Sequence, residues 1–143
     1  MSLITRRAAL AAIALSGLML AVPDAARANT KNFSVATYEK LVESGKPFLI
    51  GVHTRWCSTC AAQKRIISSL RKSGEPYSEL TILEMDWDKF RGSKIGKELQ
   101  IPRRSTLVMY TNGAETGRII AGTSPASIKA LIDEALSQEV VSN

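Results

Sequence analysis

The chain has 143 residues, a length that suits one domain. Its formal charge of +6 is interspersed with acids, with no basic run of the kind that grips nucleic acid. Two cysteines and one histidine are too few for a four-ligand structural zinc site without help from acids.

The N-terminus reads as a targeting segment. MSLITRR is a short basic start, AALAAIALSGLMLAV is a small-residue apolar run, and Ala26-Arg27-Ala28 is an A-x-A cleavage pattern. Residues 1–28 are therefore expected to be a cleavable export signal, and 29–143 a single compact domain. Thr5-Arg6-Arg7 gives a twin-arginine flavour. The competing reading is an uncleaved membrane tether, although the apolar run is short against the ~20 residues of a full span. Export would put the cysteines in an oxidising compartment, with the periplasm as the expectation, where such a pair can form and keep a disulfide.

In the remainder, Asn32-Phe33-Ser34 fits a very short strand or a leading loop. Ser34 then caps a helix to about Val42, with Val35, Tyr38, Leu41 and Val42 on one stripe. Gly45 and Pro47 end it. Phe48 to His53 is an almost continuous apolar run, the pattern of a strand buried on both faces. A helical pattern follows from Cys57 to about Arg71, with Ala61, Ile66, Ile67 and Leu70 apolar and Gln63, Lys64, Arg65 and Arg71 polar. Leu80 to Asp86 reads as a second buried strand, and Lys94 to Leu99 as a helix. Thr106 to Tyr110 is a third strand, Asn112-Gly113 a hairpin turn, and Gly117 to Ala121 the returning strand. Thr123 or Ser124 caps a last helix with Pro125 in its first turn and Ile128, Leu131, Ile132, Ala135 and Leu136 inward. The tail from Val140 is expected to fray. This order predicts an α/β fold with a mixed sheet and helices on both faces. It places both cysteines at the C-terminal end of a central strand, where such sheets present their sites.

Both cysteines lie in His53-Thr54-Arg55-Trp56-Cys57-Ser58-Thr59-Cys60. Cys57 falls at the start of its helix, where free N–H groups and the helix dipole favour a thiolate. Cys60 is one turn on, about 4.5 Å along the axis. Cys57 is thus the attacking thiolate and Cys60 the resolving thiol. Trp56 offers an apolar plate beside the site, and Arg55 a positive charge that favours the thiolate. A structural staple gains little from so short a loop. A metal site would need His53 and an acid in addition to the pair.

Here the sequence resembles the thioredoxin superfamily over residues 33–138. The matching pieces are PFLIGVHTRWCSTC, LTILEMDWD, STLVMYTNG and GTSPASIKALIDEAL. The resemblance implies the thioredoxin fold, a redox-active disulfide between Cys57 and Cys60 with no other cofactor, and cysteine-containing protein substrates. Four features depart from the family. Its cis-proline position is Ser105, where a trans bond is the expectation; Ser105 and Thr106 are still expected to bind substrate backbone by strand addition. The family's buried Asp falls at Gly51, and the Lys paired with it falls at Glu84. Glu84 is either a replacement proton acceptor for Cys60 or an ordinary exposed or ion-paired carboxylate, according to the face it takes. Between the cysteines stand Ser58 and Thr59, two hydroxyls able to donate to a Cys57 thiolate. Arg103 and Arg104 are expected near the sulfurs, favouring the thiolate and acidic substrates, or else serving as plain surface charge.

The function expected is an exported, monomeric thiol–disulfide oxidoreductase that exchanges disulfides with partner proteins. Having no nucleotide or flavin motif, it needs a membrane or soluble redox partner. The alternative is a soft-metal module holding Cu(I) on the same cysteines, with His53 or Ser105 close enough to ligate.

Overall fold

The computed structural model describes residues 29–141. The expected signal segment, residues 1–28, lies outside the described residues. The elements are β1 (Thr30–Asn32), α1 (Val35–Ser44), β2 (Phe48–His53), α2 (Ser58–Lys72), a 3-10 turn (Tyr77–Glu79), β3 (Thr81–Asp86), α3 (Trp87–Phe90), α4 (Lys94–Glu98), β4 (Thr106–Thr111), β5 (Ala114–Ile120) and α5 (Pro125–Val141). The five strands form one sheet in the order β1-β3-β2-β4-β5. β1, β3 and β2 run parallel, while β4 runs antiparallel to β2 and β5 antiparallel to β4.

The two-sided burial expected of Phe48 to His53 follows from this order. Alternate residues of a strand point to opposite faces. Phe48, Ile50 and Val52 join Leu83, Met85, Val108 and Tyr110 in a core that also takes Tyr38, Leu41 and Val42 of α1 and Phe90 of α3. Leu49 faces the other way, with Ile82, Leu107 and Met109, against Ile67 of α2 and Ile128, Ile132 and Ala135 of α5. Phe48, Leu49 and Ile50 are fully buried, each contributing roughly 1.5–3 kcal/mol of apolar burial. β4 is buried along its whole length.

Local signals set the helix ends. Ser34 Oγ accepts the Thr37 N–H at 3.1 Å to begin α1. Gly45, at φ +69°, ends it in the left-handed conformation that glycine adopts without penalty. Ser124 Oγ accepts the Ser127 N–H at the start of α5, so Ser124 and not Thr123 is its cap.

Four elements differ from the sequence reading. The first strand is Thr30–Asn32, and Phe33 already belongs to the core. The hairpin returns at once after Asn112 and Gly113, both at positive φ, so β5 starts at Ala114 and not Gly117. Its polar opening, Ala114-Glu115-Thr116, hid the strand because β5 is an edge with an exposed start. Finally, α3 precedes the expected helix, its first N–H groups capped by Asp86. The last helix continues through Val140 to Val141 where fraying was expected.

Candidate active site

β2 delivers the chain to the site and α2 begins within it. Cys57 is the N-cap of α2, and its Sγ accepts the Cys60 N–H at 3.1 Å. That bond satisfies one of the helix's orphan donors; toward a thiolate it becomes charge-assisted and stronger. Cys57 and Cys60 are joined as a disulfide. Cys57 is 8% exposed and Cys60 3%, so Cys57 is the more accessible of the two residues. Cys60 Sγ also lies 3.8 Å from the Val52 carbonyl, an acceptor for its proton when it is a thiol.

The inward stripe of α2 is Cys60, Gln63, Ile67 and Arg71. Gln63 stands among the polar residues of the helical pattern, yet it is 2% exposed. Its Nε2 donates to the Ser105 carbonyl at 3.0 Å and to the Gly122 carbonyl at 2.9 Å. The available signal was spacing: three residues after Cys60 puts it on the sulfur-bearing face.

Ser105 has a trans peptide bond before it, as expected, and φ +62°. Its N–H donates to the Val52 carbonyl at 2.8 Å and its carbonyl accepts the Ala121 N–H at 2.8 Å. Thr106 is fully buried, pairs with Ile120 in the sheet and donates its hydroxyl to the Arg103 carbonyl at 2.8 Å. The backbone of Ser105 is thus committed inside the fold, whereas Arg104 makes no backbone hydrogen bond among the described residues. The hydroxyl that reaches the sulfurs is that of Ser105, 3.1 Å from Cys57 Sγ and 3.2 Å from Cys60 Sγ. Ser58 and Thr59 make no such bond among the described residues.

Trp56 is 67% exposed, and the Arg104 guanidinium stacks 4.4 Å from its ring centroid. Arg55 and Arg103 are also exposed. Together they set a flat apolar plate in a basic rim beside Cys57.

Glu84 takes the α2 side of the sheet. It pairs with Lys64 Nζ at 2.9 Å, and His53 Nε2 lies 3.8 Å away. Burial, and then the Lys64 charge, push the His53 imidazole below its usual range against the pull of Glu84 and Asp86. At neutral pH His53 is therefore uncharged, and Lys64 is the true ionic partner of Glu84. Gly51, Cys60, Gln63, Lys64 and Glu84 line a cavity of about 370 Å³. A Cβ on Gly51 would meet nothing nearer than Leu107 Cδ2 at 3.9 Å, so the absent side chain leaves open volume below the cysteines. Glu84 thus has the face that the proton-acceptor expectation needs and the ion pair that the alternative names.

No group of three or more His, Cys, Asp and Glu side chains able to hold a metal gathers among the described residues. His53 turns to Glu84. The copper alternative gains no support from these contacts.

A resolving pair at the mouth of a parallel strand, on a mixed sheet with helices on both faces, defines a thioredoxin-fold thiol–disulfide oxidoreductase. The thioredoxin family model matches residues 29–134, and the chain belongs to that family. It is similar to thioredoxin-2 of Saccharomyces cerevisiae, 29% identical over 69% of this chain and 90% of the relative. It is also similar to a thioredoxin of Coprinus comatus, 28% identical over 70% of this chain and 91% of the relative. Among solved structures it resembles Trxlp from Edwardsiella tarda, with TM-score 0.64 and 26% identity, covering 72% of this chain and 97% of the other. Proteins of the family work through a redox-active disulfide without a cofactor, on cysteine-containing protein substrates.

Proposed function

We propose that this chain is an exported, periplasmic, monomeric oxidoreductase that reduces or exchanges disulfides of partner proteins and is recycled by a membrane or soluble redox partner. The observation that carries the exchange chemistry is Cys57 at the N-cap of α2, its sulfur on the Cys60 N–H. In the reduced protein the Cys57 thiolate attacks one sulfur of a partner disulfide. The partner's S–S bond breaks, a mixed disulfide forms, and the other partner sulfur leaves as a thiolate that takes a proton from water. Cys60 then gives up its proton and attacks Cys57 Sγ, releasing the second partner thiolate and closing the Cys57–Cys60 bond. The partner gains two electrons and the protein loses two.

The substrate lies across Trp56 and the free backbone edge at Arg104, next to Ser105 and Thr106. Export is supported by the basic, apolar and A-x-A order of residues 1–28. Reduction of insulin by dithiothreitol tests the reading. The wild-type chain is expected to accelerate it and Cys57→Ser to abolish the acceleration. A wild-type rate no higher than that of the variant would sink the proposal.

A further inference from the structure

The mechanism above uses two sulfurs, yet a third group touches both. Ser105 Oγ lies 3.1 Å from Cys57 Sγ and 3.2 Å from Cys60 Sγ, and the residue is 1% exposed. A hydroxyl has one proton to donate and lone pairs to accept with. A disulfide offers it two weak acceptors and no donor. Reduction changes that: a dithiol reductant gives up two electrons and two protons and becomes a disulfide. The S–S bond here takes both electrons and one proton to open to a thiolate and a thiol, the second proton passing to water. The hydroxyl can then donate to the thiolate and accept from the thiol without leaving its place.

We propose that Ser105 is a catalytic residue, its hydroxyl donating to the Cys57 thiolate and accepting from the Cys60 thiol in the reduced protein. The inference rests on the disulfide-exchange reading and deepens it. A hydrogen bond to an ionised sulfur stabilises the reduced state over the oxidised one, so Ser105 makes the disulfide easier to reduce.

The surroundings hold Ser105 for this task. Its φ of +62° is a conformation that L-residues rarely adopt. Three bonds keep it there: its N–H to Val52, and its carbonyl from Ala121 N–H and Gln63 Nε2. Strain retained in this way is common where a side chain must be aimed. Gln63 is a positioning residue, since it touches Ser105 and Gly122 and no sulfur.

The test is the titration of Cys57 in the reduced full chain, read as the rate of its alkylation by iodoacetamide against pH. Ser105→Ala removes the hydroxyl. Ser105→Gly removes it as well and suits the positive φ without strain, so it separates the hydroxyl from any backbone effect. Both variants are expected to raise the Cys57 pKa by about one unit, a roughly tenfold loss of thiolate at low pH. Equilibrium with glutathione should shift toward the disulfide by about tenfold, a potential roughly 30 mV lower. A wild-type titration in Ser105→Gly overturns the proposal. The alkylation rate reads the sulfur itself, so a chain inactive on protein disulfides would still answer, and the two failures stay distinguishable.

Discussion

Arg104 joins two roles in one residue. Its guanidinium covers the Trp56 ring at 4.4 Å, a contact worth about 0.5–1 kcal/mol at an exposed site, while its backbone is the unbonded edge beside the sulfurs. Arg55 and Arg103 are exposed nearby. A partner segment laid along this edge therefore meets positive charge, and acidic flanks should dock faster than basic ones. Comparing disulfide peptides with acidic and basic flanks should show an acid preference that fades with salt. Arg104→Glu is expected to cut the rate with the acidic peptide by about tenfold at low ionic strength. Equal rates for the two peptides at every salt concentration would remove the rim from the account of specificity. At this scale the sequence disclosed the cysteines, Trp56 and the arginines, because a motif and its neighbours are local. The family resemblance set Ser105 near the cysteines but did not disclose that its hydroxyl touches both sulfurs, 48 and 45 residues away. Ser58 and Thr59 are the nearer hydroxyls in sequence, yet neither bonds a sulfur of the disulfide among the described residues.

Helix α2 is the element on which the site depends. Its first residue is capped by a reactive sulfur, and its inward stripe carries the resolving sulfur, the Gln63 tether and then the apolar anchor Ile67. Periodicity located this helix, but residue type did not show that Gln63 is buried, since a buried amide is satisfied by carbonyls that other elements bring to it. The strands were legible for the opposite reason: β2 and β4 are covered on both faces, so their burial is written as continuous apolar runs. The short helices were less legible, and α4 depends on a close approach. A Cβ on Gly96 would collide with the Phe90 carbonyl oxygen and crowd Ser93 Oγ at 3.3 Å. Backbone cannot yield as a flexible side chain does, so Gly96→Ala should cost about 1–3 kcal/mol. Urea unfolding would show it as a midpoint lowered by about 1 M; an unchanged midpoint would mean that the α3–α4 turn relaxes freely.

For the whole molecule, His53 couples stability to pH. Burial and Lys64 hold its imidazole below the ordinary value, which is about 6.5 in the unfolded chain. Between those two values the unfolded state binds the extra proton and the folded state does not. Stability is therefore fully present above about pH 6.5 and is lost as pH falls from there toward the folded value. Denaturant unfolding of the disulfide form from pH 8 to 5 should show this decline, and His53→Gln should flatten it. An equal slope in the variant would assign the decline to other groups.

The left-handed backbone at Ser105 also bears on how this protein can be altered. In the family resemblance this position belongs to proline, so restoring proline looks like a conservative step. Proline fixes φ near −65° and has no N–H, whereas Ser105 sits at +62° and gives its N–H to Val52. The exchange would demand a reversed torsion and break the link between β2 and the loop before β4. Serine and proline are thus not alternative occupants of one loop but signatures of two different loops. Any passage between them must remodel the neighbours, with Gln63 among the first to lose its partner.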